Sequence, residues 1–326
     1  MKSSLAISVI VTVLNEAKTV GKLLDALSAQ RLQPTELVLT DGGSSDGTLE
    51  VIERYKKNHP ALKFSLRTAV VPGNRSRGRN AAIDMAKSEL IAITDSGCIP
   101  APEWLAELTA AYQEKKTSSS LTVIAGYAIG GQQTSFQRAA IPYFLVMPDR
   151  IEPRSYLPAT RSMLITKEAW KKAGKFPEKF NTSEDYIFAN QLKVHGLPIV
   201  FTHKALVYWQ PPTTLKQVAK TFSSFAACDV RAGIIRPKVI ALFGRYILGA
   251  LGVTLVAQAV STAFALTLII AVLALYLIWS VKKNLKYAQA GWYWLPVLQL
   301  TADFCVMSGS LVGGIQRIQD KLSFSA

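Results

Sequence analysis

Three short apolar runs near the start of the chain each end in a turn that carries acidic or amide side chains. Residues 5–14 lead into Asn15 and Glu16, residues 36–40 into Asp41, and residues 90–94 into Asp95. The runs are predicted to be buried β-strands, because they are short and separated by stretches with helical spacing of apolar residues. Since ligands bind beyond the carboxyl ends of parallel strands, we expect these polar side chains to lie close together.

A basic segment, 73–80, precedes a helix-like stretch and has arginine at alternate positions: Arg75, Arg77 and Arg79. A Gly-containing loop of this kind can offer forked guanidinium donors to phosphate, although a solvated basic loop would have the same sequence. The helix start beside it adds free backbone N–H groups. Asp95 is suited to a hard cation such as Mg²⁺ or Mn²⁺ that bridges phosphate oxygens. Together these features predict a nucleoside-diphosphate site.

Two adjacent carboxylates, Glu184 and Asp185, follow Ser183 and open a helical pattern of apolar residues. Acidic residues in a first helical turn interact favourably with the helix dipole, so capping is one explanation of the pair. The other is a general base placed at a cleft.

The composition is unusual for a soluble enzyme. The 326 residues include 37 Lys+Arg against 22 Asp+Glu, a net charge of +15, yet 49% are apolar and the mean hydropathy is +0.21. High hydrophobicity excludes a disordered chain, and three cysteines without metal-ligand spacing argue against a disulfide framework or a zinc site. Because one core stops growing at roughly 250–300 residues, two units are predicted.

The apolar residues concentrate between 239 and 281, where Arg245 is the only charge. A spanning helix needs about 20 residues, so this run is long enough for two, at about 239–258 and 261–281. Basic residues flank both outer ends and none lies in the turn, which places the outer flanks in the cytoplasm. A buried hairpin in a soluble core is the alternative.

A third apolar segment, 291–314, would span the membrane, re-enter it or lie at its surface. It contains Asp303, and an ionisable residue at membrane depth is expected to face protein or water. Before these segments, residues 212–237 include a stretch with apolar residues on one helical face and lysines off it. That pattern is typical of a helix in the headgroup plane, and also of an ordinary surface helix.

Five segments, in order, resemble the motifs of the family 2 glycosyltransferases, which have the glycosyltransferase A-type (GT-A) fold. The similar segments are the opening strand motif at 8–16, the base-recognising motif at 40–48, the Arg-Asn helix start at 78–82, the Asp-x-Asp position at 94–97 and the Glu-Asp motif at 183–185. The match runs through much of the first 235 residues. Strand–helix alternation independently predicts an α/β fold with a doubly wound, mostly parallel sheet.

The resemblance and the apolar pattern together predict three regions: a GT-A catalytic domain at 1–211, an amphipathic interface segment at 212–237 and a membrane region of two to three helices at 238–326. The resemblance also implies roles for single residues. Asp41 would accept a hydrogen bond from the nucleobase, expected to be uracil, and Asn15 and Glu16 would line the nucleoside. Asp95 would bind ribose or metal, and Arg79 would bind the diphosphate. Asp185 would deprotonate the acceptor, and Glu184 would orient acceptor or base. Arg75 joins the donor-binding set as part of the arginine loop.

Two departures from the family pattern stand out. Gly97 replaces the second acid of the Asp-x-Asp motif, so either Asp95 and the donor phosphates hold a divalent cation, or the arginines replace part of its charge. His203 is a further candidate ligand, although a lone histidine in a strand is more often structural. The Gln-x-x-Arg-Trp motif of processive polymerases is absent, which favours transfer of single sugars. Trp209 would stack on an acceptor sugar or anchor at the membrane surface.

These observations predict a membrane-anchored, inverting glycosyltransferase. It would move a sugar from a UDP-linked donor to a lipid-linked or cell-envelope glycan acceptor. As a multi-pass protein of the cell (inner) membrane, it would hold its catalytic domain in the cytoplasm. The alternative is a non-catalytic module that binds nucleotide sugar. A nucleic-acid binder is suggested only by the net charge, and no nucleic-acid-binding motif accompanies it.

Overall fold

A computed structural model describes residues 5–116, 119–131 and 133–324. The chain forms two compact units, one from 1–131 with 147–210 and the other from 132–146 with 211–326. The first unit is therefore not the continuous range 1–211 that we expected. Residues 132–146 join the second unit because their helix packs apolar side chains, such as Phe136, against Val218 and Phe222.

The described residues form eight strands and eleven α-helices. The strands are Ile7–Val13 (β1), Glu36–Asp41 (β2), Ser65–Val70 (β3), Leu90–Ile93 (β4), Cys98–Pro100 (β5), Val123–Gly130 (β6), Met163–Thr166 (β7) and Ile199–Trp209 (β8). The helices are Val20–Ser28 (α1), Thr48–Asn58 (α2), Arg75–Met85 (α3), Trp104–Lys116 (α4), Ser135–Phe144 (α5), Lys167–Lys172 (α6), Glu184–Val194 (α7), Leu215–Arg231 (α8), Pro237–Ala259 (α9), Thr262–Asn284 (α10) and Leu295–Phe324 (α11).

The eight strands belong to one sheet, in the order β3-β2-β1-β4-β7-β6-β8-β5. The half made of β3, β2, β1 and β4 is parallel, as predicted, and Val9 of β1 pairs with Leu37 on one side and Ala92 on the other. In the other half β7 runs antiparallel to β4 and to β6, so the described sheet is mixed. The α/β fold class is confirmed.

β1 lies in the middle of the parallel half and is buried on both faces. Ile7, Val9, Ile10 and Val11 are each at most 1% exposed, which explains why this strand is a continuous apolar run without alternation. The chain leaves β1 through Asn15, which has a positive φ of 56°. Asparagine tolerates this left-handed conformation better than most residues, and it turns the chain back over the sheet edge.

The predicted arginine loop is wrong, because α3 begins at Arg75. Asn74 caps the helix, its side-chain oxygen accepting a hydrogen bond from the Arg77 backbone N–H at 3.0 Å. On a helix, residues four apart share a face, so Arg75 and Arg79 lie together and Arg77 does not. Gly78 faces the sheet, where an added Cβ would lie 2.9 Å from Thr12 Cγ2.

The second unit contains three helices long and apolar enough to cross a membrane by length and composition, within Pro237–Ala259, Thr262–Tyr287 and Gln289–Ser323. The first two correspond to the predicted pair, with Ser261 capping α10, and the third is longer than the predicted 291–314. α8 confirms the predicted amphipathic helix, and its apolar face packs on α5 and α11. That face is therefore covered by protein, and its position at a membrane surface stays a prediction.

Asp303 of α11 is buried and faces protein, as expected. Its carboxylate accepts hydrogen bonds from Arg245 of α9 at 2.9 Å, from Tyr246 at 3.0 Å, from Tyr276 of α10 and from Gln299 at 2.9 Å. The charge is thus compensated by groups on all three long helices of this unit.

Candidate active site

Arg79 joins two of the predicted acidic residues at one edge of the sheet. Its guanidinium donates from Nη1 to Glu184 Oε1 at 2.7 Å and from Nη2 to Asp95 Oδ1 at 2.8 Å. The Arg79 and Glu184 side chains are only 3% and 5% exposed, so this bridge is an interior one. It connects the second turn of α3, the turn after β4 and the start of α7, three places far apart in the sequence.

Asp95 is fixed at both of its carboxylate oxygens. Oδ1 is paired with Arg79, and Oδ2 accepts from Thr160 Oγ1 at 3.3 Å. Burial favours the protonated form of Asp95, but the surrounding positive charges of Arg79, Arg161 and Arg75 outweigh it and lower the pKa below the ordinary value for an aspartate. Asp95 is therefore an ionised group at neutral pH.

Asp185 behaves in the opposite way. Burial raises its pKa, the neighbouring Glu184 carboxylate raises it further, and Arg161 and Arg79 only partly offset this. Its Oδ1 accepts from the Tyr186 backbone N–H at 2.8 Å, and no hydrogen bond within the described ranges reaches its other oxygen. A carboxylate with a raised pKa and a free oxygen is suited to accept a proton.

Glu184, in contrast, points into the protein and pairs with Arg79, so it supports the site instead of lining it. Ser183, directly before it, has a left-handed backbone with φ of 55°. Non-glycine residues in this conformation are strained and cluster at functional sites. The turn aims two consecutive carboxylates in different directions.

Asp41, at the end of β2, organises the next turn. Its Oδ1 accepts from the backbone N–H groups of Gly43 and Ser44, both at 2.7 Å. Its Oδ2 is buried and has no hydrogen-bond partner among the described residues. Because an unpaired buried acceptor is unfavourable, this oxygen is a candidate to accept a hydrogen bond from a ligand.

Asn15 and Glu16 connect the turns to one another. Asn15 Oδ1 accepts from the Ser45 backbone N–H at 3.0 Å, and Glu16 Oε1 accepts from Ser96 Oγ at 2.8 Å. The turns after β1, β2 and β4 thus form one continuous surface, as the strand pattern predicted. Arg75 lies near enough to influence Asp95.

The sequence did not single out Arg161 and Thr160. They lie just before β7, which runs antiparallel to β4 with Met163 opposite Ile93, so the turn before β7 meets the turn after β4. Thr94 Oγ1 donates to the Arg161 carbonyl oxygen at 2.9 Å. The position of Thr160 and Arg161 near Asp95 follows from the antiparallel pairing of β7 with β4. No local sequence motif indicates that pairing.

The donor set does not fit a cation held by the protein alone. Asp95, the predicted metal ligand, is the one carboxylate that remains in this motif and already binds Arg79 and Thr160, and Gly97 contributes no side chain. Within 5–116, 119–131 and 133–324, no group of three or more His, Cys, Asp or Glu side chains is placed to hold a metal ion. His203 is exposed on β8, and Trp209 lies beneath the Arg161 guanidinium, which is 4.9 Å from its ring centroid.

Comparison with known proteins agrees with this geometry. A family model described as "Glycosyltransferase like family 2" matches residues 5–222. Glycosyltransferase AglE of Haloferax volcanii is 22% identical over 61% of this chain and 65% of its own length. Poly(ribitol-phosphate) β-N-acetylglucosaminyltransferase TarS of Staphylococcus aureus is 28% identical over 62% of this chain and 35% of its own length. The chain therefore spans less than two thirds of these curated relatives.

A solved structure shows the same fold. The mannosyltransferase PcManGT from Pyrobaculum calidifontis, in complex with GDP-Man and Mn²⁺, superimposes with a TM-score of 0.59 at 20% identity, covering 91% of this chain and 86% of that one. The family match extends over more than half of the chain. The protein belongs to glycosyltransferase family 2 and has the GT-A fold.

Proposed function

We propose that this glycosyltransferase moves a single sugar from a UDP-linked donor to a lipid-linked or cell-envelope glycan acceptor, with inversion at the anomeric carbon. The observation that carries the proposal is Asp185, a carboxylate with a raised pKa and one free oxygen, at the same sheet edge as Asp95 and Asp41. A base of this kind is what activation of an acceptor hydroxyl requires.

The donor would bind along the turns that follow the parallel strands. Asp41 Oδ2, buried without a partner, would accept an N–H of the nucleobase, and Asn15 and Glu16 would line the nucleoside. Asp95 would accept from the ribose. Arg79 is buried and pairs with two carboxylates, so it would hold Asp95 and Glu184 in place, and Arg75 would approach the diphosphate.

Asp185 would remove the proton of the acceptor hydroxyl while the oxygen attacks the anomeric carbon opposite the departing diphosphate. The contributions expected from this chain are positioning of both substrates and base catalysis, the latter worth about 10²–10⁴-fold. No step is assigned to a metal ion, because the protein donors at Asp95 and Gly97 do not form a cation site.

Support for the acceptor class comes from the relatives. TarS is named for transfer of N-acetylglucosamine to poly(ribitol-phosphate), and a β-glucosyltransferase of Bacillus spizizenii is named for the same polymer. The three apolar helices would anchor the protein in the cell membrane, with the basic flanks Arg236, Lys238, Lys282 and Lys283 on the cytoplasmic side. A membrane location is suited to a lipid-linked or envelope acceptor.

The full-length protein in lipid nanodiscs, offered a panel of nucleotide sugars and lipid extract, tests the proposal. We expect release of nucleoside diphosphate from one donor, reduced at least about 100-fold by Asp185→Asn. The matched control is Asp84→Asn, which alters an exposed carboxylate on α3 that pairs with Lys175. Full turnover in Asp185→Asn would contradict the role of Asp185.

A non-catalytic nucleotide-sugar module is the second candidate, and Gly97 is the observation that favours it. Donor binding without release of nucleoside diphosphate under any acceptor condition would select this alternative. The Asp185→Asn variant would then bind the donor as the unaltered protein does.

A further inference from the structure

Arg161 is held against the turn that carries Asp95. The Arg161 carbonyl oxygen accepts from Thr94 Oγ1 at 2.9 Å, and the preceding residue, Thr160, donates to Asp95 Oδ2 at 3.3 Å. The guanidinium lies over the Trp209 ring, 4.9 Å from the centroid. Backbone and side chain are therefore both fixed near the sheet edge of the candidate site.

The Arg161 guanidinium forms no ion pair with the described residues. Whereas Arg79 makes two ion pairs, no carboxylate in the described part of the chain lies within 4.0 Å of the Arg161 guanidinium. Its positive charge nevertheless acts on both Asp95 and Asp185. A half-buried guanidinium with five donors and no anionic partner is a ready site for phosphate oxygens.

Gly97 leaves space in the same region. A Cβ built on Gly97 would meet no atom within 4 Å, so the volume that a second acid would enter is open. The Gly97 carbonyl accepts from the Gln210 backbone N–H at 3.2 Å, which places this turn next to Trp209 and hence next to Arg161. Relative to an Asp-x-Asp arrangement, the site has lost a negative charge beside a positive one.

We propose that Arg161 binds the diphosphate of the nucleotide-sugar donor and stabilises it as the leaving group, taking the place of a cation held at position 97. The proposal rests on the nucleotide-sugar transferase function set out above and adds a residue and a mode of charge compensation to it.

The step is balanced without a further reactant. The acceptor oxygen forms a bond to the anomeric carbon while the bond from that carbon to the β-phosphate oxygen breaks. The bonding electron pair stays on the phosphate oxygen, and the hydroxyl proton goes to Asp185. Negative charge thus develops on the diphosphate, where forked N–H donors of a guanidinium stabilise it by charge-assisted hydrogen bonds.

Ligand affinity, measured by calorimetry on the full-length protein in nanodiscs, separates this role from a structural one. UDP and uridine, and in parallel GDP and guanosine, are titrated in EDTA and then in Mn²⁺. We expect nucleoside-diphosphate binding to persist in EDTA. Arg161→Gln should weaken it about 10- to 100-fold and leave nucleoside binding unchanged, because the nucleoside lacks the diphosphate.

Two further variants control for charge and folding. Arg161→Lys keeps the charge without the fork and should recover part of the affinity. Arg31→Gln removes an exposed arginine paired with Glu103 and should change nothing. Retained nucleoside binding in each variant shows that the site has folded.

Gly97→Asp tests the same idea from the other side. An added carboxylate should repel the diphosphate and pair with Arg161, so affinity in EDTA should fall, and Mn²⁺ should restore it. Loss of UDP and GDP binding by the unaltered protein in EDTA, or unchanged diphosphate affinity in Arg161→Gln, would overturn the proposal while the transferase function stands. If the unaltered protein binds neither diphosphate in either condition, both proposals fail.

Discussion

At the scale of single residues, the site gives different pKa values to two aspartates, Asp95 and Asp185, that would have the same pKa in water. Asp95 has a lowered pKa because guanidiniums outweigh the effect of burial, and Asp185 has a raised one because burial and a neighbouring carboxylate act in the same direction. Environments that shift the pKa values of two titratable groups in opposite directions suit the groups to different chemical roles. One carboxylate stays ionised, and the other binds a proton more readily than an ordinary aspartate does.

The pH profile follows from the raised pKa of Asp185. Below that pKa the carboxyl is protonated and cannot accept the acceptor proton, so kcat/KM should fall on acidification at a higher pH than an ordinary aspartate would give, about 3.9. Glu184→Gln removes the adjacent negative charge and should move the acidic limb to lower pH. An acidic limb that stays in place in this variant would contradict the coupling.

The sequence predicted where Asp41, Asp95 and the Glu184-Asp185 pair lie in the fold, because each ends, follows or opens an element with a clear apolar pattern. It could not predict Arg161, since a single arginine before a short strand has no local signature. Its place depends on an antiparallel pairing between residues about 70 positions apart, Ile93 with Met163. It also could not show that Arg79 forms ion pairs with both Asp95 and Glu184.

At the scale of elements, α3 positions the site. The sequence predicts a loop at 73–80 because glycine is a poor helix former. The Asn74 cap and the packing of the helix on the sheet outweigh the low helix propensity of glycine. Gly78 lets the helix approach β1 and β2 closely, and its carbonyl accepts from Thr40 Oγ1 at 3.1 Å. Arg79 is the next residue, so its reach towards Asp95 depends on this close contact.

Gly78→Ala therefore should be harmful although alanine favours helices. The new methyl group would lie 2.9 Å from Thr12 Cγ2 and 3.2 Å from Thr40 Oγ1, which must shift. We expect a loss of about 1–3 kcal/mol in the free energy of unfolding, measured by denaturant titration, together with reduced turnover. The control is Gly21→Ala in α1, where a Cβ meets nothing within 4 Å and should be neutral or stabilising. Equal stability of the two variants would contradict the packing argument.

At the scale of the whole molecule, two separate segments of the chain form the second unit, 132–146 and the part from 211 onward. Composition predicted the apolar helices well, because length and hydropathy are properties of continuous sequence. It could not predict that α5 joins them, since that depends on which face of a short amphipathic helix finds a partner.

Membrane topology is the prediction at this scale. The turn at Val260–Ser261 should lie on the side opposite to the basic flanks. In a Cys305→Ser background, whose two other cysteines are buried, a membrane-impermeant maleimide added to intact cells should label Ser261→Cys and not Lys286→Cys. The reverse labelling pattern would show the opposite orientation, and labelling of both positions in opened cells but of neither in intact cells would place them on the same side and argue against a spanning hairpin.

The contact between Asp303 and Arg245 has a consequence for the order of assembly. Arg245 belongs to the first long helix, and its carboxylate partner follows 58 residues later on the third. In lipid, a charged side chain at the helix centre costs roughly 2.5–3.5 kcal/mol until it is compensated. If α9 and α10 span a membrane, they are therefore synthesised before the helix that compensates Arg245 has emerged, and a chain shortened before Asp303 would leave α9 with an unmatched charge.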